Sequence, residues 1–423
     1  MRILPAALAA CLLSTAAPVL AETLVIHADG VIADADSAPL GRSTVTVTDG
    51  RIVSIVDGWA EVPEGAQMVH LEGKTLVPGL IDLHVHLTGD PGGDFWRGAT
   101  EPAEWGVVVG AKNAEKTLKA GFTTVREAGS AQHTAFALRR GTAEGVIQGP
   151  RIVAAGPPLA IVGGHGDVSG FLPEVNEILS SGYSCTGAVE CAEKARRASQ
   201  NGADTIKITA TGGVLSQQGR GLEAHFTDAE MKSIADTAHS LGLDVMAHAH
   251  GARGIEAAAR AGIDTIEHGT YIDEAAAKVM RERGTYLIPT LMAFKGVTEG
   301  LGKGIYTPVV EEKIRAVADT AQVFMGKAHR WKVPIAFGTD AGVFDHGRNA
   351  EEFALMVGQG MSDREAFASA TTVAAKVLRM ENEIGRLAPG YSADIIAVEG
   401  NPLEDVTVLE DVDWVMVRGR VAD

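Results

Sequence analysis

Between residues 79 and 384, short apolar runs alternate with longer segments of helical periodicity, and this alternation limits the possible folds more than any other feature of the chain. Each run is short enough to be a strand, and the runs cover residues 80–87, 122–128, 151–156, 204–210, 244–250, 264–269, 285–291 and 335–341. The spacings of Thr227 to Glu230 and of Ser362 to Glu365 fit capping boxes, which begin helices. Eight strands alternating with helices predict an α/β fold, a (β/α)8 TIM barrel, with functional groups at the C-terminal strand ends.

The two ends of the chain have a different pattern, in which short β-rich runs are separated by Gly, Asp and Pro. Alternation at period two marks runs such as 43–47 near the start and 394–398 near the end. The sequence therefore predicts a small β-sandwich domain formed by both termini, from residues 22–78 and 385–423, attached to a barrel of residues 79–384.

Residues 1–21 have the pattern of a secretory signal peptide, with a basic start, an Ala- and Leu-rich run and a cleavage site at Ala21. The expected location is therefore exported, in a periplasm or secreted. Leu8–Cys11 also resembles a lipoprotein box, but the apolar run continues beyond it. Cys185 and Cys191 are close enough in sequence to form a disulfide in an oxidising compartment, although two free thiols fit almost as well.

The chain is strongly acidic, with a formal net charge of -17. Nucleic acids and anionic membrane surfaces are therefore not expected as partners, because like charges give neither an electrostatic reason to approach. A hydrophobic content of 46% and 50 glycines suit an enzyme with many tight connections, without a stable membrane span after the signal segment. The negative charge does not exclude a small anionic substrate, because a bound metal ion can reverse the local field.

The first and fourth predicted barrel strands carry polar side chains that face inwards. Because alternate residues of a strand share a face, His84 and His86 point the same way and form half of a metal site. The same alternation directs Lys207 into the barrel, where an ammonium group needs a partner or must lose its charge. An ion pair with a carboxylate is one solution, and a lysine carbamate that bridges two metal ions is the other.

Three later strands end in further potential ligands, each followed closely by Gly. They are His248 with His250 on the fifth strand, His268 on the sixth and Asp340 on the eighth. Imidazoles and carboxylates are suitable ligands for zinc and similar divalent ions. Each residue alone could pack or cap a turn, but five strand ends meeting at one barrel mouth favour a metal centre.

The order of these groups resembles the amidohydrolase superfamily in its binuclear form with a carboxylated lysine. The resemblance rests on the run from Pro78 to His86 together with the ligands on the later strands, and it extends over the whole mature chain. It implies two divalent ions, expected to be zinc, held by His84, His86 and Asp340 at one position, by His248 and His268 at the other, and by N6-carboxylated Lys207 between them. The same resemblance implies a homo-oligomer, with an octamer among the expected forms.

Four segments, 163–166, 207–213, 248–251 and 266–270, are similar to the prolidase-like branch of that superfamily. This branch includes Xaa-Pro and Xaa-Arg dipeptidases, carboxypeptidase-like enzymes and ochratoxin A hydrolases, and the chain resembles the last group most. The resemblance implies hydrolysis of an amide bond that releases a C-terminal amino acid. The substrate would be an N-acyl amino acid such as ochratoxin A, giving phenylalanine and ochratoxin α, or a dipeptide.

The resemblance also suggests roles for individual residues. Asp340 would carry a proton from the attacking water to the leaving amine, and His250 would face the substrate and stabilise the developing oxyanion. His165, Tyr271 and Arg220 lie on loops from which they could bind a substrate carboxylate. The apolar loop residues expected to line a cleft for an aromatic group are Phe95, Trp96, Leu215, Met292 and Phe294.

Other functions of the same fold remain open on the sequence. One is a Xaa-Pro or Xaa-Arg dipeptidase without ochratoxin activity. Another is a mononuclear deaminase or a lactonase, and a third is a non-catalytic assembly protein. The metal content separates them, because two ions per chain favour the binuclear hydrolase, one favours the deaminase and none favours the assembly protein.

Overall fold

The structure is a computed structural model that describes residues 23–217 and 221–422. The predicted signal peptide, residues 1–21, and the predicted substrate residue Arg220 lie outside the described residues. The strands are β1 Thr23–Val31, β2 Ser43–Thr48, β3 Arg51–Asp57, β4 Gln67–Pro78, β5 Leu80–Val85, β6 Phe122–Glu127, β7 Arg151–Ala154, β8 Ala160–Ile161, β9 Ser184–Cys185, β10 Thr205–Thr209, β11 Asp244–Ala249, β12 Thr265–His268, β13 Tyr286–Ile288, β14 Ile395–Glu399, β15 Val412–Val417 and β16 Arg420–Val421.

The helices follow most of the barrel strands, as the alternating pattern predicts. They are α1 Trp105–Lys119, α2 Thr134–Glu144, α3 Pro173–Leu179, α4 Ala188–Gln200, α5 Asp228–Ser240, α6 Ala252–Ala261, α7 Glu274–Arg283, α8 Leu291–Glu299, α9 Pro308–Ala321, α10 Phe324–Arg330, α11 Glu351–Gly358, α12 Asp363–Ser369 and α13 Thr372–Val377, with 3₁₀ turns at Phe95–Ala99 and Val406–Glu410. Both predicted capping boxes form, at the starts of α5 and α12. In the described part of the chain, no helix is both long enough and apolar enough to cross a bilayer.

Two parallel sheets form most of the barrel, β5-β6-β7 and β10-β11-β12-β13. The first sheet meets the second where the Asp204 N–H donates to the Ala154 carbonyl (2.9 Å) and Leu159 bridges to Ile208 in β10. Inward side chains are polar near the strand ends, and the outward side chains pack against the helices in one large apolar core. This arrangement confirms the predicted α/β barrel architecture.

The eighth predicted strand, 335–341, closes the barrel through isolated bridges and not through a regular ladder. Its two ends pair with Leu287 of β13 and with Val85 of β5. Near the end of the segment, the φ of 64° at Asp340 turns the backbone out of the extended conformation. The seventh predicted strand, 285–291, is likewise shorter than expected, because α8 begins at Leu291.

Strands from both termini form one seven-stranded sheet, in the order β16-β15-β14-β4-β1-β2-β3. Arg51 in the edge strand β3 bridges to Ser392, just ahead of β14, so the sheet curls around its own apolar core. The sheet also positions the barrel, because β4 leads into β5 across Gly79, whose N–H donates to the Asp394 carbonyl (2.9 Å). The first two histidines of the site therefore lie on a strand that is fixed at its start.

Cys185 and Cys191 form a disulfide bond between β9 and the first turn of α4. Of the two states that the sequence left open, the structure has the bridged one. Because β9 pairs with β8, the bond joins α4 to the segment that leads towards the barrel mouth.

Candidate active site

The inward-facing polar residues of five barrel segments converge at the C-terminal ends of the strands. His84, His268 and Asp340 each direct one potential ligand atom into the same space, with these atoms within 4.8 Å of one another. His86 joins them through its Nε2 atom, which lies 3.3 Å from Oδ1 of Asp340. The ring of His248 lies beside that of His268, with the ring centres 4.6 Å apart.

The histidines of β5 are oriented by groups outside the cluster. The Nδ1–H of His84 donates to the Glu267 carboxylate (2.6 Å), and the Nδ1–H of His86 donates to the Gly129 carbonyl (2.9 Å). In both rings this leaves the Nε2 lone pair facing Asp340. Each imidazole is therefore held in the tautomer that can bind a metal ion through Nε2.

The histidines of β11 and β12 are oriented by neutral partners. The Nε2–H of His248 donates to the Gly212 carbonyl (3.1 Å), which leaves the lone pair of the ring on Nδ1. His268 has a hydrogen bond from Nδ1 to the Thr290 hydroxyl (2.7 Å), so its Nε2 is directed to the cluster. The φ of His268 is 73°, a left-handed conformation that costs free energy in a residue with a Cβ.

Lys207 lies between the two histidine pairs and is 4% exposed. Its nearest polar contact is Nε2 of His84, at 3.4 Å from Nζ, and none of the ion pairs among the described residues includes it. Burial lowers the pKa of this ammonium, and Glu267 and Asp340 act in the opposite direction. The carboxylate partner considered from the sequence is therefore not in contact with Lys207.

The donor set suits divalent metal ions. Burial lowers the pKa of His86 to about 4 and moves the pKa values of His84, His248 and His268 well below the usual range, so the rings are neutral. Neutral imidazoles with one nitrogen hydrogen-bonded elsewhere are the form in which histidine binds metals. The four histidines assigned as ligands by resemblance are thus in the form that binds metal ions, and Lys207 and Asp340 lie beside them.

Behind His84 lies a buried ion pair, Arg126 with Glu267, which the sequence analysis did not predict. Glu267 accepts from His84 and also from Arg126, whose Nη2 is 2.9 Å from Oε1. The guanidinium also donates through Nε to the Leu83 carbonyl (2.7 Å), next to His84. Since Arg126 and Glu267 are almost completely buried, the pair holds the first histidine rigidly.

Asp82 forms a second supporting network on the same strand. Its carboxylate accepts from the backbone of His84 (3.0 Å), from Thr339 and from the side-chain amide of Asn349 (2.8 Å). Burial raises the pKa of Asp82 to about 6. The network joins β5 to the segment that carries Asp340, so His84 and Asp340 are held in a fixed position relative to each other.

A cavity of about 560 Å³ opens at the cluster, a size that fits a small organic molecule. His165 and His250, both predicted on the substrate side, line it. His250 is hydrogen-bonded from Nδ1 to Thr270 (2.7 Å), and burial lowers its pKa to about 3. The structure does not bring Tyr271 into the cavity, because its hydroxyl donates outwards to the Ala316 carbonyl (3.2 Å) on α9.

The apolar wall of the cavity contains only part of the predicted set. Leu215 and Phe294 line it, and His165 is held at its edge by Ser216 (2.6 Å from Nδ1 to Oγ). Gly213 allows the His165 ring to pack against the backbone at this position, since a Cβ on Gly213 would lie 2.4 Å from the ring. The cavity lining does not include Phe95, Trp96 or Met292.

Comparisons with known proteins agree with this geometry. The sequence profile of the amidohydrolase family matches residues 75–422. Ochratoxinase of Aspergillus niger is 33% identical over 418 residues, which covers 92% of this chain and 84% of the relative. A solved Xaa-Pro dipeptidase with methionine bound in its active site is 36% identical, with a TM-score of 0.86 over 95% of this chain and 99% of that one.

A prolidase solved in complex with N-methylphosphonate-L-proline is also similar. It is 31% identical, with a TM-score of 0.85 over 94% of this chain and 99% of that one. Three findings agree. The family profile matches most of the sequence, the similar proteins align over most of this chain, and histidines converge at the barrel mouth. The chain belongs to the amidohydrolase family and is a hydrolase of that type.

Proposed function

We propose that the protein hydrolyses an amide bond next to a carboxylate and releases a C-terminal amino acid. The substrate is an N-acyl amino acid such as ochratoxin A, which would give phenylalanine and ochratoxin α, or a dipeptide. The observation that carries the proposal is the convergence of four neutral imidazoles, Lys207 and Asp340 beside a cavity of about 560 Å³. The similarity to ochratoxinase and to a Xaa-Pro dipeptidase supports the substrate class.

The proposal includes two divalent ions, with zinc as the expected metal. His84, His86 and Asp340 would hold one ion and His248 and His268 the other. Lys207 would be N6-carboxylated and would bind both, because carboxylation turns a buried cation without a carboxylate contact into an anionic oxygen ligand. The ions would lower the pKa of a water molecule towards neutrality and polarise the substrate carbonyl.

The residues of the chain then have distinct tasks. Asp340 accepts the proton from the water whose oxygen bonds to the carbonyl carbon, and gives it to the amide nitrogen as the C–N bond breaks. His250, whose Nδ1 is fixed by Thr270, directs Nε2 towards the cavity as a donor to the developing oxyanion. The carboxylic acid and the amine are the two products.

The wall of the cavity supports an aromatic or otherwise apolar substrate group. Pro157 and Pro158 line it together with Leu215 and Phe294. The ring of Phe294 meets that of His250 at a centre-to-centre distance of 6.2 Å, so an apolar surface begins directly beside a proposed catalytic donor. This juxtaposition favours an amide with a phenylalanine-like side chain.

A Xaa-Pro or Xaa-Arg dipeptidase is the second candidate. It is favoured by the Xaa-Pro dipeptidase and the prolidase among the similar structures, both more than 30% identical to this chain. The two candidates share the metal centre and differ in the group that occupies the cavity. They can therefore be separated by substrate and not by metal content.

The test compares amino acid release from ochratoxin A, N-acetyl-L-phenylalanine, Xaa-Pro and Xaa-Arg by protein incubated with zinc and bicarbonate. Lys207→Ala should abolish release while the control Lys278→Ala, an exposed lysine on α7, should not change it. Release from the aromatic amides supports the first candidate, and release from the dipeptides alone supports the second. Activity that survives in Lys207→Ala would remove the carbamate from the mechanism, and no amide cleavage at all would favour a deaminase or lactonase.

Export and oligomerisation belong to the same proposal. Export is supported by the composition of residues 1–21 and by the Cys185–Cys191 disulfide, a bond that is typical of oxidising compartments. A mature protein that begins at Glu22, measured by mass spectrometry of an exported fraction, would support it. Light scattering of the purified protein would show whether a homo-oligomer, such as an octamer, forms.

A further inference from the structure

Lys313 on α9 is a half-buried lysine to which neither the sequence nor the proposed mechanism gives a role. The inner face of α9 includes the buried residues Val310 and Val317, and Lys313 lies on that face, three residues after the first and four before the second. Burial lowers the pKa of its ammonium group to about 8. The group is therefore mostly charged at neutral pH, and it needs acceptors for its protons.

The acceptors include two carbonyl groups at the two ends of one turn after β10. Nζ of Lys313 donates to the carbonyl oxygen of Gly213 (2.8 Å) and to that of Ser216 (2.5 Å). A second link joins the same segment to the start of α9, because the Thr307 hydroxyl donates to the side-chain oxygen of Gln217 (2.8 Å). Hydrogen bonds from a charged donor are about twice as strong as neutral ones, so the lysine is the stronger of these two links.

The turn 213–216 belongs to the wall of the active-site cavity and holds His165. Leu215, at its centre, lines the cavity. Oγ of Ser216 is 2.6 Å from Nδ1 of His165. The same edge of the ring packs on Gly213, where a Cβ would lie 2.4 Å from both Nδ1 and Cε1. The position of His165 therefore depends on the position of the turn.

The other nitrogen of His165 is accessible. His165 is only partly buried and lines the cavity. Within the described residues, Nε2 has no hydrogen-bond partner, and it is not among the fully buried polar atoms that lack one. The ring centre lies 4.2 Å from that of His248, a proposed metal ligand. A molecule in the cavity beside the metal ligands can therefore reach Nε2 of His165.

We propose that Lys313 is a positioning residue that, through the turn 213–216, holds His165 as a hydrogen-bond donor to the substrate. Lys313 anchors both ends of the turn, and the Ser216 hydroxyl donates to Nδ1 of His165, so that Nε2 carries the ring proton. The inference rests on the proposed function, because His165 has this task only if the cavity binds the substrate. It gives a role in substrate binding to a helix that does not itself carry a metal ligand.

The test follows hydrogen exchange and amide hydrolysis in Lys313→Met, which keeps an unbranched side chain and removes the charged donor. Backbone exchange should rise only in peptides that cover 163–168 and 211–217, because both segments lose their anchor. KM for the best amide substrate should rise about tenfold, the effect of one lost hydrogen bond, while kcat changes by less than about threefold. The matched control is Arg315→Met, which removes an exposed cation of α9 paired with Glu311 (2.8 Å) and should leave KM and exchange unchanged.

A double-mutant cycle separates the positioning of His165 from a general loss of structure. In a His165→Ala background, Lys313→Met should raise KM by less than about twofold further, because its effect passes through the missing ring. Ser216→Ala keeps the carbonyl that the lysine contacts but removes the hydroxyl that contacts His165. It should raise KM as Lys313→Met does and raise exchange at 163–168 alone. Lys313→Arg, which keeps the charge and the donors, should leave KM within about threefold of the wild type.

Three results would overturn the inference. They are unchanged exchange in Lys313→Met, faster exchange throughout the barrel, and an undiminished rise in KM in the His165→Ala background. The exchange measurement needs no turnover. A wild type that cleaves no amide, with faster exchange in Lys313→Met confined to 163–168 and 211–217, would therefore contradict the proposed function and leave Lys313 as the anchor of the turn and of His165.

Discussion

The two histidine pairs of the site are built on the same barrel but are supported by different chemistry. In the β5 pair, the Glu267 carboxylate accepts from Nδ1 of His84, and the Gly129 carbonyl accepts from Nδ1 of His86. The β11–β12 pair, His248 and His268, is backed by a carbonyl and a hydroxyl. A carboxylate partner makes an imidazole a stronger metal ligand than a neutral partner does. From this difference we expect that the β5 pair would hold a metal ion more tightly.

The two pairs also differ in how rigidly the backbone is determined. His84 lies in β5 and His86 directly follows it, and the Asp82 network holds this strand to the segment that carries Asp340. The β11–β12 pair depends on residues with left-handed backbone, His268 with a φ of 73° and Thr290 with a φ of 49°. We therefore expect the second pair to lose its ion first when a chelator is added.

The largest effect is expected from Asp340, the residue proposed both to bind at the β5 metal position and to carry the proton. Asp340→Asn should lower kcat by about 10²–10⁴-fold, the range for loss of a general acid–base group. Steady-state hydrolysis of the best amide substrate measures this effect. Loss of less than tenfold would show that another group moves the proton, and Asp345→Asn, on the following loop, is the matched control.

The next effect tests the contribution of the Glu267 carboxylate to metal binding by His84. Glu267→Gln keeps an acceptor for His84 but removes the charge, so zinc affinity at the tighter position should fall about 10–100-fold. Competition with a chelator of known affinity measures it. Glu256→Gln, which alters a partly exposed carboxylate paired with Arg260 on α6, should leave zinc affinity unchanged. Equal zinc binding by Glu267→Gln and the wild type would contradict the comparison.

A smaller effect on zinc affinity is expected for the β11–β12 pair, whose hydrogen-bond partners are uncharged. Thr290→Val preserves the shape of the side chain and removes only the hydroxyl that contacts His268. Zinc affinity at the weaker position should fall about two- to tenfold, as for one neutral hydrogen bond. The same chelator competition measures it. A loss larger than that in Glu267→Gln would reverse the proposed order of the two positions.

The smallest effect concerns the pH dependence of stability beside Thr290. Glu352 accepts from the N–H groups of Leu291 and Met292 at the start of α8, and burial raises its pKa from 4.5 to about 8. Because the folded state keeps this proton and the unfolded state releases it, stability falls as pH rises from about 4.5 to 8. Glu352→Gln should therefore show a shallower decline in melting temperature between pH 5 and 8. A steeper decline would contradict this assignment of the proton.

The sequence predicts the main features of this site because they follow from local patterns. Alternation within β5 places His84 and His86 on one face, and the capping boxes at Thr227 and Ser362 mark two helix starts. Such features depend on a few neighbouring residues and on the period of a strand or helix. They can be predicted without knowledge of the tertiary structure.

The supporting groups could not be predicted in the same way. Neighbouring residues in a strand face opposite sides, so Glu267 and His268 are not expected to serve one site. The positive φ of His268 breaks this alternation at the strand end, and both side chains reach the cluster. The outward direction of Tyr271 likewise depends on the Ala316 carbonyl, which is distant in sequence. The partner of each of these groups is set by tertiary contacts.

The number of metal ions bound per chain tests the account most directly. Protein purified after growth with zinc, or reconstituted with zinc and bicarbonate, is analysed by plasma mass spectrometry together with Lys207→Ala. The account predicts two ions per wild-type chain, released in two steps by a chelator, and fewer than two in the variant. One ion or none in the wild type, or two in Lys207→Ala, would contradict a binuclear centre bridged by the lysine.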